Sequence, residues 1–144
     1  MPKMRDITLS ACVICYNESK NIKRCLDSLK WVDELIVVDS MSKDGTAKIA
    51  STYTDDLYER AWTGYVDQKN FALEKARGEW VLSVDADEEI TAALKEEILN
   101  VIESPGAKAG YRIPRRSFYQ GRWINHSGFY PDTQLRLFKR SYGE

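Results

Sequence analysis

Trp80-Val81-Leu82-Ser83-Val84-Asp85-Ala86-Asp87-Glu88 is an apolar run that ends in two aspartates on either side of one alanine. The run predicts a buried strand with both carboxylates at its carboxyl end. Carboxylate oxygens are ligands that Mg²⁺ and Mn²⁺ take, and such a metal commonly bridges protein carboxylates to a substrate diphosphate. The same residues are also typical of a solvated acidic turn that caps the next helix, so this stretch alone leaves both interpretations open.

Apolar strands alternate with helical patterns on both sides of this stretch. Strands are predicted at 7–14, 34–39, 57–61 and 80–84, helices at 21–29, 46–53, 65–76 and 91–102, and late strands at 111–113 and 134–138. We therefore predict an α/β fold with a mainly parallel sheet, right-handed crossovers and helices on its flanks. Ligands bind such sheets beyond the carboxyl ends of the strands, which directs attention to residues 15–18, 39–40 and 85–87.

The composition of the 144-residue chain narrows the class of protein. Hydrophobic residues make up 43%, and 21 basic against 22 acidic side chains give a net charge of −1. This balance argues against disorder and against a generally basic nucleic-acid binder, so we expect no nucleic-acid partner. No apolar run approaches the roughly 20 residues of a membrane span, and three cysteines with one histidine do not form a zinc motif. We expect a reduced, soluble, cytoplasmic protein.

The charges are unevenly distributed along the chain. Eight basic residues and one acid, Asp132, lie between Lys108 and Arg140, where aromatic side chains are also frequent. This separation predicts an anionic partner at the C-terminal end. Asp132 should stay ionised among these cations, as a general base requires, although Pro131-Asp132 is also typical of a turn.

Nucleotide binding by a glycine-rich loop is not indicated, because neither GxGxxG nor GxxxxGK[ST] occurs. If the sheet binds a nucleotide, a metal on Asp85 and Asp87 must bind the phosphates that a glycine-rich loop binds in other proteins. Asp39 ends the second predicted strand, where a carboxylate can accept hydrogen bonds from a base or a ribose hydroxyl. The residues after Asp39 are equally typical of a turn before a capped helix.

Several motifs occur in the order in which one known family has them. Residues 15–18 read Cys-Tyr-Asn-Glu, residues 37–46 read Val-Val-Asp-Ser-Met-Ser-Lys-Asp-Gly-Thr, residues 67–73 read Asp-Gln-Lys-Asn-Phe-Ala-Leu, residues 85–87 read Asp-Ala-Asp, and Tyr130-Pro131-Asp132 precedes Arg136-Leu137-Phe138. Together they resemble the family 2 glycosyltransferases of the GT-A fold. More narrowly, they resemble the subgroup that contains lipopolysaccharide-core β-glucosyltransferases. Cys15 stands where the family pattern has threonine.

The resemblance implies an inverting glycosyltransferase that moves a sugar from a UDP-sugar donor to a saccharide or lipid-linked acceptor. The residues that it assigns to the nucleotide are Asn17, Glu18, Asp39, Lys69, Asn70 and Asp85. Asp87, together with Asp85, would bind Mg²⁺ or Mn²⁺ across the diphosphate.

On the acceptor side, the resemblance assigns Asp132 as the general base. Trp123, His126 and Arg136 would face an anionic acceptor, although a lone histidine is more often structural. A lipid-linked acceptor would imply peripheral contact at the inner face of a membrane.

We expect residues 1–107 to form a nucleotide-sugar-binding half, and residues 108–144 to form the acceptor-side segment of the same domain. Family members usually continue well past Arg136-Leu137-Phe138, so we expect a C-terminal part to be missing. This favours one alternative, a nucleotide-sugar-binding fragment without turnover. A sugar nucleotidyltransferase would need a Gly/Arg-rich loop after the first strand, and a phosphatase of the DxD type would carry its acids there.

Overall fold

The computed structural model describes residues 7–113, 118–120 and 135–140. The strands are β1 (Leu9–Cys15), β2 (Glu34–Asp39), β3 (Leu57–Glu59), β4 (Trp80–Asp85), β5 (Glu88–Ile90), β6 (Gly110–Arg112), β7 (Phe118–Gln120) and β8 (Leu135–Lys139). The helices are α1 (Ile22–Asp27), α2 (Thr46–Ala50), α3 (Tyr65–Lys75) and α4 (Ala92–Glu103). Every predicted strand and helix is present, with its ends shifted by no more than three residues.

Six of the strands form one sheet in the order β3-β2-β1-β4-β8-β6. β1 pairs in parallel with β2 and β4, and β2 pairs in parallel with β3. β8 runs antiparallel to both β4 and β6, so described strands from the C-terminal segment complete the same sheet. The prediction of a mainly parallel sheet flanked by helices is confirmed.

Helices cover both faces of this sheet because its central strands are apolar on both sides. Successive side chains of β1 alternate between the faces: Val13 belongs to one core cluster and Cys12 to the other. The first cluster includes buried side chains of α1, α2 and α4, and the second includes Ala72 of α3. The sheet is therefore held between two apolar layers, which fixes the positions of its strand ends.

The parallel register brings the carboxyl ends of three strands to one edge. Asp39 of β2 lies beside Cys15, and Asp85 of β4 lies beside Ile14, the neighbouring residue of β1. Two interstrand spacings separate the aspartates, which corresponds to about 10 Å across β1. The loops after these strands therefore form one continuous edge, which is the place to look for a ligand.

Two features differ from the sequence-based expectation. β5 and β7 form a separate antiparallel pair that was not predicted, because three-residue strands carry almost no periodic signal. Among the described residues, the cations near the C-terminus do not share one surface, since Arg136 is buried. Lys139 pairs with Trp80 at the amino end of β4, and Arg140 Nε donates to the Gly78 carbonyl (2.9 Å). Lys139 and Arg140 both lie at the end of the sheet opposite to Asp85.

Among the described residues, none of the helices combines the length and the apolar character that crossing a membrane requires.

Candidate functional site

Asn17 joins the loop after β1 to the loop after β2. Its backbone is left-handed, with φ of 51°, a conformation that asparagine tolerates better than most residues. Its N–H donates to the Ser42 hydroxyl (2.7 Å), and its side-chain oxygen accepts from the Lys43 N–H (2.9 Å). Asn17 therefore shapes this edge of the sheet by fixing the two loops against each other.

Asp39 is fully buried at the end of β2. One carboxylate oxygen accepts from the Ser42 N–H (2.7 Å), and the other accepts from the Ser42 hydroxyl (2.6 Å) and the Cys15 thiol (3.4 Å). Burial raises the pKa of Cys15, so this thiol is a hydrogen-bond donor to Asp39. Met41 in the same turn has φ of 64°, a strained value for a residue with a side chain.

Glu18 and Asp44 complete the connection between the two loops. The Glu18 N–H donates to the Thr46 hydroxyl (2.9 Å), and the Glu18 carboxylate accepts from the Asn21 amide (3.0 Å). Asp44 accepts from the Ser19 N–H (3.0 Å) and from the Thr46 hydroxyl. The Thr46 hydroxyl, together with the N–H groups, lowers the pKa of Asp44 to about 2. These loops are thus held by hydrogen bonds between side chains and backbone.

Helix α3 is tied to the same edge by Gln68, which is fully buried. Its Nε2 donates to the Ser40 hydroxyl (3.0 Å), and its Oε1 accepts from Arg60 Nη1 (2.6 Å). Lys69 Nζ lies 4.6 Å from the centroid of the Tyr65 ring. Lys69 and Asn70 line a cavity of about 240 Å³ on the α3 face of the sheet, where Val81 and Ser83 of β4 also line it.

The carboxylate of Asp85 is held at both oxygens. Oδ1 accepts from the Tyr65 hydroxyl (3.2 Å), and Oδ2 lies 3.6 Å from Arg136 Nη2. The Asp85 side chain is 22% exposed, so it remains open to a ligand at the edge of the sheet. Asp87 is half-buried two residues further on.

Residues 85–87 form a turn that we call the acidic turn. Glu88 and Arg136 form a buried ion pair next to it. The Arg136 side chain is 1% exposed, and that of Glu88 is 0% exposed. Nη1 donates to Glu88 Oε1 (2.8 Å) and Nη2 to Oε2 (3.1 Å), and Oε1 also accepts from the Asp85 N–H (2.8 Å). Burial raises the pKa of Glu88, and the adjacent guanidinium opposes that rise.

The position of Arg136 corrects the expectation that this residue faces an anionic acceptor. Its guanidinium lies inside the protein and contacts Glu88 and Asp85, because β8 carries Arg136 next to β4. Its charge therefore acts on the acidic turn from within and does not belong to an exposed cationic surface.

The donor set at this edge fits a hard divalent cation. Asp85 and Asp87 offer carboxylate oxygens, which Mg²⁺ and Mn²⁺ prefer over nitrogen or sulfur. Within the described part of the chain, no group of three or more candidate ligands surrounds a common point. A metal here would hence complete its coordination with phosphate oxygens of a ligand and with water, as Mg²⁺ does in many phosphate sites.

The predicted site residues thus fall into two adjacent groups. Asn17, Glu18 and Asp39 lie at the ends of β1 and β2, and Asp85 and Asp87 lie at the end of β4. Lys69 and Asn70 lie on α3, where Lys69 contacts the ring of Tyr65, the residue that donates to Asp85. Gln68 connects the groups through Ser40. Trp123, His126 and Asp132 lie outside the described residues.

Sequence reasoning missed three residues that organise the site: Tyr65, Gln68 and Glu88. Each acts through a contact with a residue at least 20 positions away or through burial, and neither property has a local pattern. The signal available for Glu88 was its position directly after Asp87, which favoured a solvated turn.

The sequence pattern of glycosyl transferase family 2 matches residues 10–143. The chain belongs to glycosyl transferase family 2. The lipopolysaccharide core biosynthesis glycosyltransferase LpsC of Rhizobium meliloti is 35% identical over 143 residues, which cover 95% of this chain and 53% of LpsC. The resemblance to family 2, including its lipopolysaccharide-core members, is confirmed.

Solved structures of similar fold are GT-A glycosyltransferases, which confirms the predicted GT-A fold. Mannosyltransferase PcManGT from Pyrobaculum calidifontis, in complex with GDP-Man and Mn²⁺, superposes with a TM-score of 0.68 at 23% identity, over 95% of this chain and 46% of PcManGT. S. aureus TarS in complex with UDP-GlcNAc superposes with a TM-score of 0.67 at 23% identity, over 94% of this chain and 46% of TarS. This family 2 chain therefore spans about half the length of these three proteins.

Proposed function

We propose that this chain carries the donor site of an inverting glycosyltransferase that transfers a sugar from a UDP-sugar to a saccharide or lipid-linked acceptor, assisted by Mg²⁺ or Mn²⁺. The observation that carries the proposal is the position of Asp39 and of Asp85 at the ends of the two strands that flank β1, with Asp87 two residues after Asp85. Asp39, which would contact the nucleobase, and the Asp85 and Asp87 pair, which would bind the diphosphate through a metal, lie on one edge of the sheet about 10 Å apart.

On the donor side, Asp39, Asn17 and Glu18 would form the uridine pocket, while Asp85 and Asp87 would hold the diphosphate through the metal. Asp39 contacts a base only if the turn around it opens, since its side chain is fully buried in the folded protein. Lys69 and Asn70 would lie beside the nucleotide. The bound metal would act as a Lewis acid that stabilises negative charge on the departing UDP.

On the acceptor side, Asp132 would remove the proton of the acceptor hydroxyl as its oxygen bonds to the anomeric carbon. The bond from that carbon to the diphosphate oxygen breaks at the same time, and its electron pair leaves with UDP. A single displacement of this kind inverts the anomeric configuration. LpsC is named for lipopolysaccharide core biosynthesis, which supports a lipid-linked saccharide as the acceptor. Such an acceptor would bring the protein to the inner face of a membrane.

The donor assignment is tested by calorimetric titration of UDP, GDP and ADP in the presence of Mn²⁺. We expect UDP to bind most tightly, and Asp39→Ala to weaken UDP by about 1–3 kcal/mol through lost hydrogen bonds. The ratio between UDP and GDP is the decisive quantity, because a disturbed turn would weaken both nucleotides alike. Equal affinities of the wild type for all three nucleotides would contradict the uridine assignment.

A further inference from the structure

The Asp85 carboxylate is oriented by groups that no assigned role explains. The Tyr65 hydroxyl donates to Oδ1 (3.2 Å) from the first turn of α3, while Arg136 Nη2 lies 3.6 Å from Oδ2 on β8. One oxygen is thus held from the helix and the other from the neighbouring strand. The direction in which Asp85 points is set by these two elements together.

Arg136 itself has a fixed orientation. Two parallel hydrogen bonds join its guanidinium to Glu88 (2.8 and 3.1 Å), and Nη1 also donates to the Ser83 carbonyl (3.2 Å). A planar guanidinium that bonds a carboxylate at two points cannot rotate, whereas a lysine ammonium in its place could. Glu88 in addition accepts from the Asp85 N–H (2.8 Å), so it holds the backbone of the same residue.

We propose that Tyr65, Glu88 and Arg136 form a clamp that positions the Asp85 carboxylate for the metal of the bound donor. The inference rests on the proposed function, and the three residues act through Asp85. Mg²⁺ and Mn²⁺ sites need carboxylate oxygens at defined positions, and residues that hold a metal ligand typically contribute 10- to 100-fold to metal affinity. The clamp also links α3 and β8 to the acidic turn.

The first test is a Mn²⁺ titration at a fixed UDP concentration for wild type and Tyr65→Phe. Removing one hydrogen bond to Asp85 should raise the Mn²⁺ concentration at half-saturation about fivefold. UDP affinity measured in EDTA should not change. The matched control is Tyr53→Phe, because the Tyr53 hydroxyl donates to Asp27 (2.6 Å) away from the site. This control should titrate like wild type.

The second test addresses the ion pair. Arg136→Lys keeps the charge and loses the fixed orientation, and the double variant Glu88→Gln with Arg136→Met removes both buried charges so that neither remains unpaired. We expect both variants to need 10- to 100-fold more Mn²⁺, with thermal unfolding used to confirm that each is folded. A role in stability alone would lower the unfolding temperature and leave the Mn²⁺ titration of the folded protein unchanged.

Two results would overturn the clamp. The first is that Tyr65→Phe reaches half-saturation at the same Mn²⁺ concentration as wild type. The second is that the folded double variant does so. If the UDP affinity of wild type is the same with and without Mn²⁺, this result instead contradicts the proposed function on which the clamp rests.

Discussion

Gly78 shows how closely the backbone packs at the amino end of β4. A Cβ atom at this position would lie 2.7 Å from Ser10 Oγ and 2.8 Å from the Ser10 backbone nitrogen. We expect Gly78→Ala to lower the free energy of unfolding by about 1–3 kcal/mol, measured by urea denaturation. Gly106→Ala is the control, since nothing lies within 4 Å of its Cβ position. Equal stability of the two variants would show that Ser10 moves aside without cost.

Asp132 carries the prediction that concerns catalysis. Asp132→Asn should leave UDP binding unchanged and lower turnover by roughly 10²–10⁴-fold, the usual contribution of a positioned base. Turnover is measured as transfer to an acceptor by a chain extended to the length of the curated relatives. Near-full transfer by the variant would mean that Asp132 only completes the turn after Pro131.

Single residues were predictable where a local pattern carries their role. Asp39 and Asp85 end apolar runs, so the sequence predicts their place at the edge of the sheet, and the structure puts them there. Arg136 was not predictable, because its partner Glu88 is 48 positions away and only folding shows that this charge is buried. The sequence gives the charge of a side chain and not its surroundings.

At the scale of elements, Glu34 ties β2 to β1 and to the turn before β4. Its carboxylate accepts from the Ser10 hydroxyl (2.6 Å), the Arg77 N–H (2.8 Å) and Arg77 Nε (2.6 Å). Burial alone would raise the pKa of Glu34, but these hydrogen bonds outweigh burial and lower it below the ordinary 4.5. The ionised form is therefore favoured in the folded protein.

A lowered pKa in the folded state means that Glu34 contributes stability above pH 4.5, and that this contribution is lost as the pH falls further. Glu34→Gln should be less stable than wild type at pH 7, and the difference should shrink as the pH falls below 4.5. Urea unfolding at each pH measures it, and Glu59→Gln, which changes an exposed glutamate of β3, is the control. A constant difference between wild type and Glu34→Gln would contradict this account.

Elements with long apolar runs were predicted almost to the residue: β2 has the predicted bounds, and α3 and α4 differ by a single residue at their ends. Helix α2 ends earlier than predicted, because Ser51 and Thr52 bond back to the carbonyls of Lys48 and Ile49 and close a turn. Strands β5 and β7 pair across about thirty residues, so their existence depends on a contact that no local window contains.

In the whole molecule, charged side chains that are neighbours in the sequence do not lie together in the fold. The cationic segment suggested one surface for an anionic partner, but among its described members Arg136 lies in the interior, Lys139 and Arg140 lie at the amino end of β4, and Arg112 lies on β6. The fold class was predictable because strand–helix alternation and the position of each acid constrain the same sheet. The three-dimensional distribution of charge was not, since it depends on the direction of β8.

We propose above all that a divalent metal on Asp85 and Asp87 binds the diphosphate of a UDP-sugar donor. Calorimetric titration of UDP with Mn²⁺ and with EDTA tests it most directly, for wild type, Asp87→Asn and the control Asp55→Asn, which changes an exposed aspartate away from the site. We predict that Mn²⁺ strengthens UDP binding to wild type and to Asp55→Asn, and that Asp87→Asn binds UDP equally in Mn²⁺ and EDTA. Wild-type binding that is the same in EDTA and in Mn²⁺ would contradict the claim.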